Sequence, residues 1–166
     1  MKTDRPLADR VEVAAPGLAA LIARALAHLP EPLRRRALRG AFDRARDAFN
    51  RGDLEAVFAL FDAEVEYVPP PALYQGEPLQ GREAVFTFWR DILARYEDST
   101  IANLSLEEAV PGRIVRGARL CHRSRAEGAQ ISYEIVQTTE LVGGRVVRQV
   151  NTQAGAEAMA SGPRRS

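Results

Sequence analysis

The sequence predicts an α+β domain in which helices lead and a sheet follows. Three observations carry that reading. The stretch from Ala41 to Pro71 reads as helix, turn, short helix and strand. The segment from Gly81 to Tyr96 reads as a further helix, apolar around more than half its girth. Four strand-like segments then run to Gln153, separated by turn signals.

The opening stretch gives the clearest local signals. Leu38, Phe42, Ala45 and Phe49 recur at helical spacing. Gly52 stands where a helix stops in a left-handed conformation, and Asp53 can cap the next one. Leu54, Val57, Phe58 and Phe61 form the buried face of that short helix. Glu64 to Val68 then alternates as a half-buried strand does, and Pro69, Pro70 and Pro71 end it. Ahead of this lies an extension. Residues 1–15 show no clear periodicity and are expected to be flexible. Pro16 suits a first helical turn, and Leu18, Leu21, Ile22, Ala25, Leu26 and Leu29 make an amphipathic stripe that Pro30 and Pro32 end. The next helix opens on Arg34, Arg35, Arg36 and Arg39, read as a solvated face rather than a membrane-surface or partner helix.

After the prolines comes a loop from Ala72 to Gln80 that includes Tyr74. The following helix has Val85, Trp89, Ile92 and Tyr96 as its main stripe. The long strands are expected at about Thr100 to Ala109, Arg113 to Ser124, Ala129 to Leu141 and Arg145 to Gln153. Pro111-Gly112, Glu127-Gly128 and the hairpin signal Gly143-Gly144 separate them.

Composition bounds function by exclusion. Basic and acidic side chains nearly cancel, 23 against 22, so bulk charge points to neither nucleic acid nor a membrane surface. Cys121 is the only cysteine, which rules out an intrachain disulfide and makes a cytoplasmic home the expectation. No apolar run approaches the ~20 residues of a membrane span. Two distant histidines and one cysteine give no metal-ligand spacing, and no glycine loop precedes a helix to cradle phosphate, so no metal or other cofactor is expected.

The run FNRGDLEAVFALFDAEVEYVPP, the later GREAVFTFW and the closing GGRVVRQVNTQ resemble, in order and spacing, the SnoaL-like group of the nuclear transport factor 2-like superfamily. The resemblance implies a conical fold of order α-α-β-α-β-β-β-β, in which a curved antiparallel sheet wraps around helices and leaves a pocket. It also implies a homodimer, since the superfamily often pairs through its sheets. The domain expected on this basis spans 33–160, with an extension at 1–32 and a disordered tail at 161–166.

Alternation assigns faces within that fold. On the third long strand Ile131, Tyr133, Ile135, Gln137, Thr139 and Leu141 form the more apolar, inward set. Gln137 is then either a pocket wall or a satisfied structural hydrogen-bonding group. On the second long strand, the arginine-rich set is the solvent side, so Ile114, Arg116, Ala118, Leu120, His122 and Ser124 point inward. On the last strand the resemblance favours Val146, Arg148, Val150 and Thr152 as the inward set. Tyr67 and Trp89 are expected between the first strand and the helix above it, lining the cavity or packing as plain core.

The acid–base groups of the better known relatives are missing. By resemblance, the general-base aspartate of ketosteroid isomerases falls on Tyr67 here and their tyrosine donor on Ala45. Their protonated aspartic acid falls on Gln137 if the hairpin is one residue shorter. No aspartate follows Asp98, so the Asp-Arg-Asp set of limonene epoxide hydrolases is absent from the strands, and no acidic residue can be placed for a polyketide cyclase. Two function classes follow. The first is a cofactor-independent cyclase, isomerase or hydrolase acting on a hydrophobic, oxygenated, polyketide-like molecule. His122 or Tyr67 would be its acid or base, with Gln137, Tyr133, Trp89, Arg148, Tyr74 and Thr152 as ligand contacts. The second is a non-catalytic domain that binds a small apolar ligand or dimerises.

Overall fold

Proline and glycine punctuation sets the helices. The computed structural model describes residues 5–154. The helices α1 (Leu7–Ala14), α2 (Pro16–Leu26) and α3 (Glu31–Asn50) lead the chain, with Pro16 and Pro32 in first turns. Gly52 stops α3 at a φ of 75°. Asp53 then caps α4 (Leu54–Val57), accepting from the Ala56 N–H at 3.3 Å. The side chain of Asn50 pins the end of α3 to the sheet, with hydrogen bonds to the N–H of Ile101 at 2.8 Å and its carbonyl at 3.2 Å.

The rest follows as β1 (Phe61–Val68), β2 (Leu79–Gln80), α5 (Arg82–Arg95), β3 (Tyr96–Val110), β4 (Arg113–Ser124), β5 (Gln130–Val142) and β6 (Arg145–Gln153). They form one six-stranded sheet of order β2-β1-β6-β5-β4-β3. Pairing is antiparallel except where β1 lies parallel to β6. The expected α+β fold is the observed one. α3, α4 and α5 sit in the concave face around Phe49, Leu54, Phe58, Val65, Trp89, Ile92, Leu120 and Ile135.

Phe61 opens β1 and Tyr96 opens β3, rather than each ending the helix before it, and three further local expectations change. The first concerns the N-terminal segment: instead of being loose, it forms α1 and docks through charge. Asp9, 2% exposed, pairs with Arg51 at 2.6 Å, and Arg5 clamps Asp53 at 2.7 and 2.9 Å. Ion pairs leave no apolar period to read, which is why the pattern was silent. The second concerns α2: it buries Ala19 and Ala20, while its larger stripe of Leu18, Leu21 and Ile22 stays exposed. Close approach explains this choice. A side chain on Gly144 in the β5–β6 turn would run into the Ala20 carbonyl, so only small residues fit on that side of the helix. The third concerns the loop after the prolines, which contributes β2 to the sheet edge. Arg35, Arg36 and Arg39 lie exposed on α3, as a solvated face should, whereas Arg34 reaches Glu108 at 2.8 Å. The expected tail at 161–166 lies outside the described residues.

Candidate functional site

A cavity of about 730 Å³ opens between α2, α3 and the concave face of the sheet. Its size traces to one helix face. Ala37, Ala41, Ala45 and Ala48 all line it from α3, where larger side chains would fill the space. Phe42, Phe49, Phe58, Phe61 and Trp89 supply aromatic walls. Asp9, Glu12 and His28 reach it from the N-terminal segment.

Strand register builds the polar floor. Arg116, Gln137 and Asn151 are direct neighbours across β4, β5 and β6. Arg116 Nη1 donates to Gln137 Oε1 at 3.3 Å, and Gln137 Nε2 donates to Asn151 Oδ1 at 2.9 Å. Asn151 Nδ2 completes the row by donating to the Val68 carbonyl at 2.7 Å. Beside it, Tyr67 Oη accepts from Trp89 Nε1 at 2.8 Å. Burial pushes the Tyr67 phenol well above its ordinary value, which keeps the hydroxyl neutral. Gln137 unites its two sequence readings, as a cavity wall that is also hydrogen-bonded on both sides.

Arg116 is the unusual member. It is 5% exposed, and its Nε and Nη2 have no hydrogen-bond partner among the described residues. Burial first, and then Arg46, pushes its proton affinity down to about 10, which leaves it cationic at neutral pH. Its guanidinium carbon lies 5.6 Å from the centre of the Phe42 ring.

The expected site residues divide. Tyr67, Trp89 and Gln137 line the cavity; His122, Tyr133, Tyr74, Arg148 and Thr152 do not. His122 points inward as expected but sits at the far end of β4. Its ring nitrogens meet Ser99 Oγ at 2.9 Å and Tyr133 Oη at 3.0 Å, and the ring lies against Tyr96. Burial pushes it down to about 4, so it is neutral at pH 7. Tyr74 packs edge-on against Phe88.

The inward set on β6 is corrected. Val146 does face inward, but Arg148 points out and pairs with Glu66 at 2.7 Å, and the buried polar residues are Gln149 and Asn151. A bulge explains the change. Leu141 pairs with Val146 and Glu140 with Arg148, so Val147 is an extra residue that shifts the alternation by one. Val150 and Thr152 turn outward with Arg148, and Thr152 Oγ1 donates to the Val136 carbonyl at 3.3 Å.

Sequence reasoning passed over Arg116 and Asn151. The signal for Arg116 was present: a charge between Ile114 and Ala118 on the apolar face of β4. Asn151 had no readable signal because the bulge hides its face. Among the described residues the carboxylates that line the cavity are ion-paired: Asp9 with Arg51, Glu12 with Arg44 and Glu108 with Arg34. Among the described residues no group of three or more His, Cys, Asp or Glu is placed to hold a metal ion. None of their helices is long and apolar enough to cross a membrane.

The SnoaL-like domain profile matches residues 42–149, from the cavity face of α3 to the inward Gln149 of β6. The chain belongs to the SnoaL-like family. Solved structures of nuclear transport factor 2-like proteins share the fold of this SnoaL-like chain. One is an NTF2-like protein of unknown function from Burkholderia pseudomallei, 21% identical, with a TM-score of 0.59 over 73% of this chain and 93% of that one. Another is a putative polyketide cyclase from Xanthomonas campestris, 17% identical, with a TM-score of 0.57 over 73% and 93%. A third, from Mycobacterium tuberculosis in complex with estradiol-17beta-hemisuccinate, is 19% identical, with a TM-score of 0.58 over 67% and 88%. No curated protein matches the sequence.

Proposed function

We propose that this SnoaL-like chain binds a hydrophobic, oxygenated small molecule between its alanine-lined helix and its polar floor. The observation that carries the reading is the contrast inside one cavity: aromatic and alanine walls face a floor that carries a hydrogen-bonded row of Arg116, Gln137 and Asn151. Walls of that kind hold an apolar body, and a few placed polar groups fix its orientation. The steroid ester named with the Mycobacterium tuberculosis structure has the same character, a large apolar frame with oxygen at its ends.

Binding without turnover is favoured over catalysis. The floor offers donors and a neutral tyrosine but no base. The catalytic version, a cofactor-independent cyclase, isomerase or hydrolase, has one observation of its own: burial raises the Glu12 carboxyl above the ordinary carboxylate range at the cavity wall, despite Arg44. In that version Glu12 exchanges a proton while Tyr67 or Gln137 holds an oxygen. A homodimer and a cytoplasmic location belong to the same proposal.

The test is native mass spectrometry of the chain as purified, followed by extraction and return of the extract to fresh protein. The expected result is a stoichiometric, apolar, oxygen-bearing ligand in the wild type that is lost in Ala45→Trp, where an indole fills the cavity. Equal ligand content in Ala45→Trp would place the binding elsewhere and overturn the reading. A ligand recovered with a changed mass after incubation would favour the catalytic version. The same spectrum reports monomer or dimer.

A further inference from the structure

The unpartnered atoms of Arg116 are not a random pair. Nε and Nη2 form one edge of the guanidinium, and both lack partners among the described residues, while Nη1 on the opposite side serves Gln137. Elsewhere in the same molecule, Arg5 uses this Nε/Nη2 edge to clamp the two oxygens of Asp53 at 2.7 and 2.9 Å. Such fork-on-fork pairing is the strongest way a guanidinium meets a planar anion. A buried cation lacking a counter-anion is costly, which is why such groups are ordinarily paired. The nearby carboxylate, Asp43, is already engaged by Arg46 at 2.9 Å and Asn103 at 3.0 Å. No other carboxylate pairs with Arg116 among the described residues.

We infer that the ligand of this cavity is a hydrophobic carboxylic acid whose carboxylate docks on the Nε/Nη2 edge of Arg116. The inference rests on the small-molecule reading above and narrows it to one class. The apolar body of the acid lies along the alanine face of α3, and the carboxylate supplies the counter-charge that the protein withholds. That edge is closed off in this structure, so docking requires the guanidinium to turn toward the space that Arg116 lines. A neutral alcohol or ketone of the same shape gains the walls but leaves the cation unpaired.

Isothermal titration with a matched pair of probes, decanoate and 1-decanol, at pH 7.4 tests this. The wild type should bind decanoate about tenfold or more tighter than decanol, the ratio expected of a charge-assisted hydrogen-bonded contact. In Arg116→Met the preference should fall to within about twofold. Arg116→Lys, with the charge but not the fork, should lie between them. Arg116→Met should also melt no lower than the wild type, since it removes an unpaired buried charge. Equal affinity of the wild type for the two probes would overturn the acid inference and leave the pocket reading standing. So would a preference that persists in Arg116→Met. Wild-type protein that binds neither probe would overturn both.

Discussion

The concave face of the sheet carries polar side chains at two ends, and the two ends differ in how completely those groups are satisfied. At one end His122 is held on both ring nitrogens by Ser99 and Tyr133, with Tyr96 against its face. At the other end Arg116, Gln137 and Asn151 form a row that stops short, with half of a guanidinium unmatched. The first end does not border the cavity; the second is its floor. The histidine is the residue a chemist would choose for acid–base work, yet both its ring nitrogens are already engaged away from the cavity. On the proposed reading, what separates a binding floor from a structural tie is unspent hydrogen-bonding capacity in the wall of an open volume, rather than residue type.

That contrast can be broken from either side. The largest effect is expected from His122→Leu, which leaves the Ser99 and Tyr133 hydroxyls without their partner. It should cost about 1–3 kcal/mol of stability in urea denaturation and leave ligand affinity unchanged. The pH dependence sharpens this. Folding lowers the His122 proton affinity from 6.5 to about 4. The unfolded chain therefore binds more protons than the folded one across that window, and stability should fall as the pH drops from about 6.5 to 4. His122→Leu should flatten that slope, whereas an unchanged slope would show that His122 is not its source.

A smaller effect is expected from Tyr67→Phe at the other end. It removes the acceptor of the buried Trp89 N–H, for about 1 kcal/mol of stability, but here the affinity for an oxygenated ligand should fall as well. A stable Tyr67→Phe protein with undiminished affinity would move the tyrosine from the floor to the tie. The smallest effect belongs to Arg148→Ala on the outer face. An exposed pair such as Arg148 with Glu66 contributes about 0–1 kcal/mol, and ligand binding should not respond. A binding defect in Arg148→Ala would mean that the bulge at Val147 does not hold in solution.

Much of this molecule is legible in its sequence, for reasons that differ by element. Gly52 and Asp53 announce the turn after α3 because stopping and capping a helix each demand a special residue. The inward faces of β4 and β5 follow from alternation because neither strand carries a bulge between Arg113 and Glu140. The face of β6 does not follow, since a single extra residue reverses parity and leaves no compositional mark. α1 escapes notice because Asp9 and Arg5 dock it by charge to residues 42 and 48 positions away. The cavity itself is written in the alanines of α3, but only the packed fold shows open space left beside them by the described residues. Arg116 was visible on its strand, and what could not be read was the lack of a partner, which is a fact of three dimensions.

The bulge at Val147 carries a consequence for how this family can diversify. Without it, the hairpin through Gly143 and Gly144 would pair in unbroken alternation and turn Arg148, Val150 and the residues in step with them toward the helices. With it, Gln149 and Asn151 take their place. One strand therefore encodes two interchangeable linings, one cationic and one amide, and a single-residue irregularity near the turn chooses between them. Gain or loss of that irregularity would exchange the whole lining at once, a leap in ligand preference that point substitutions reach only after several steps.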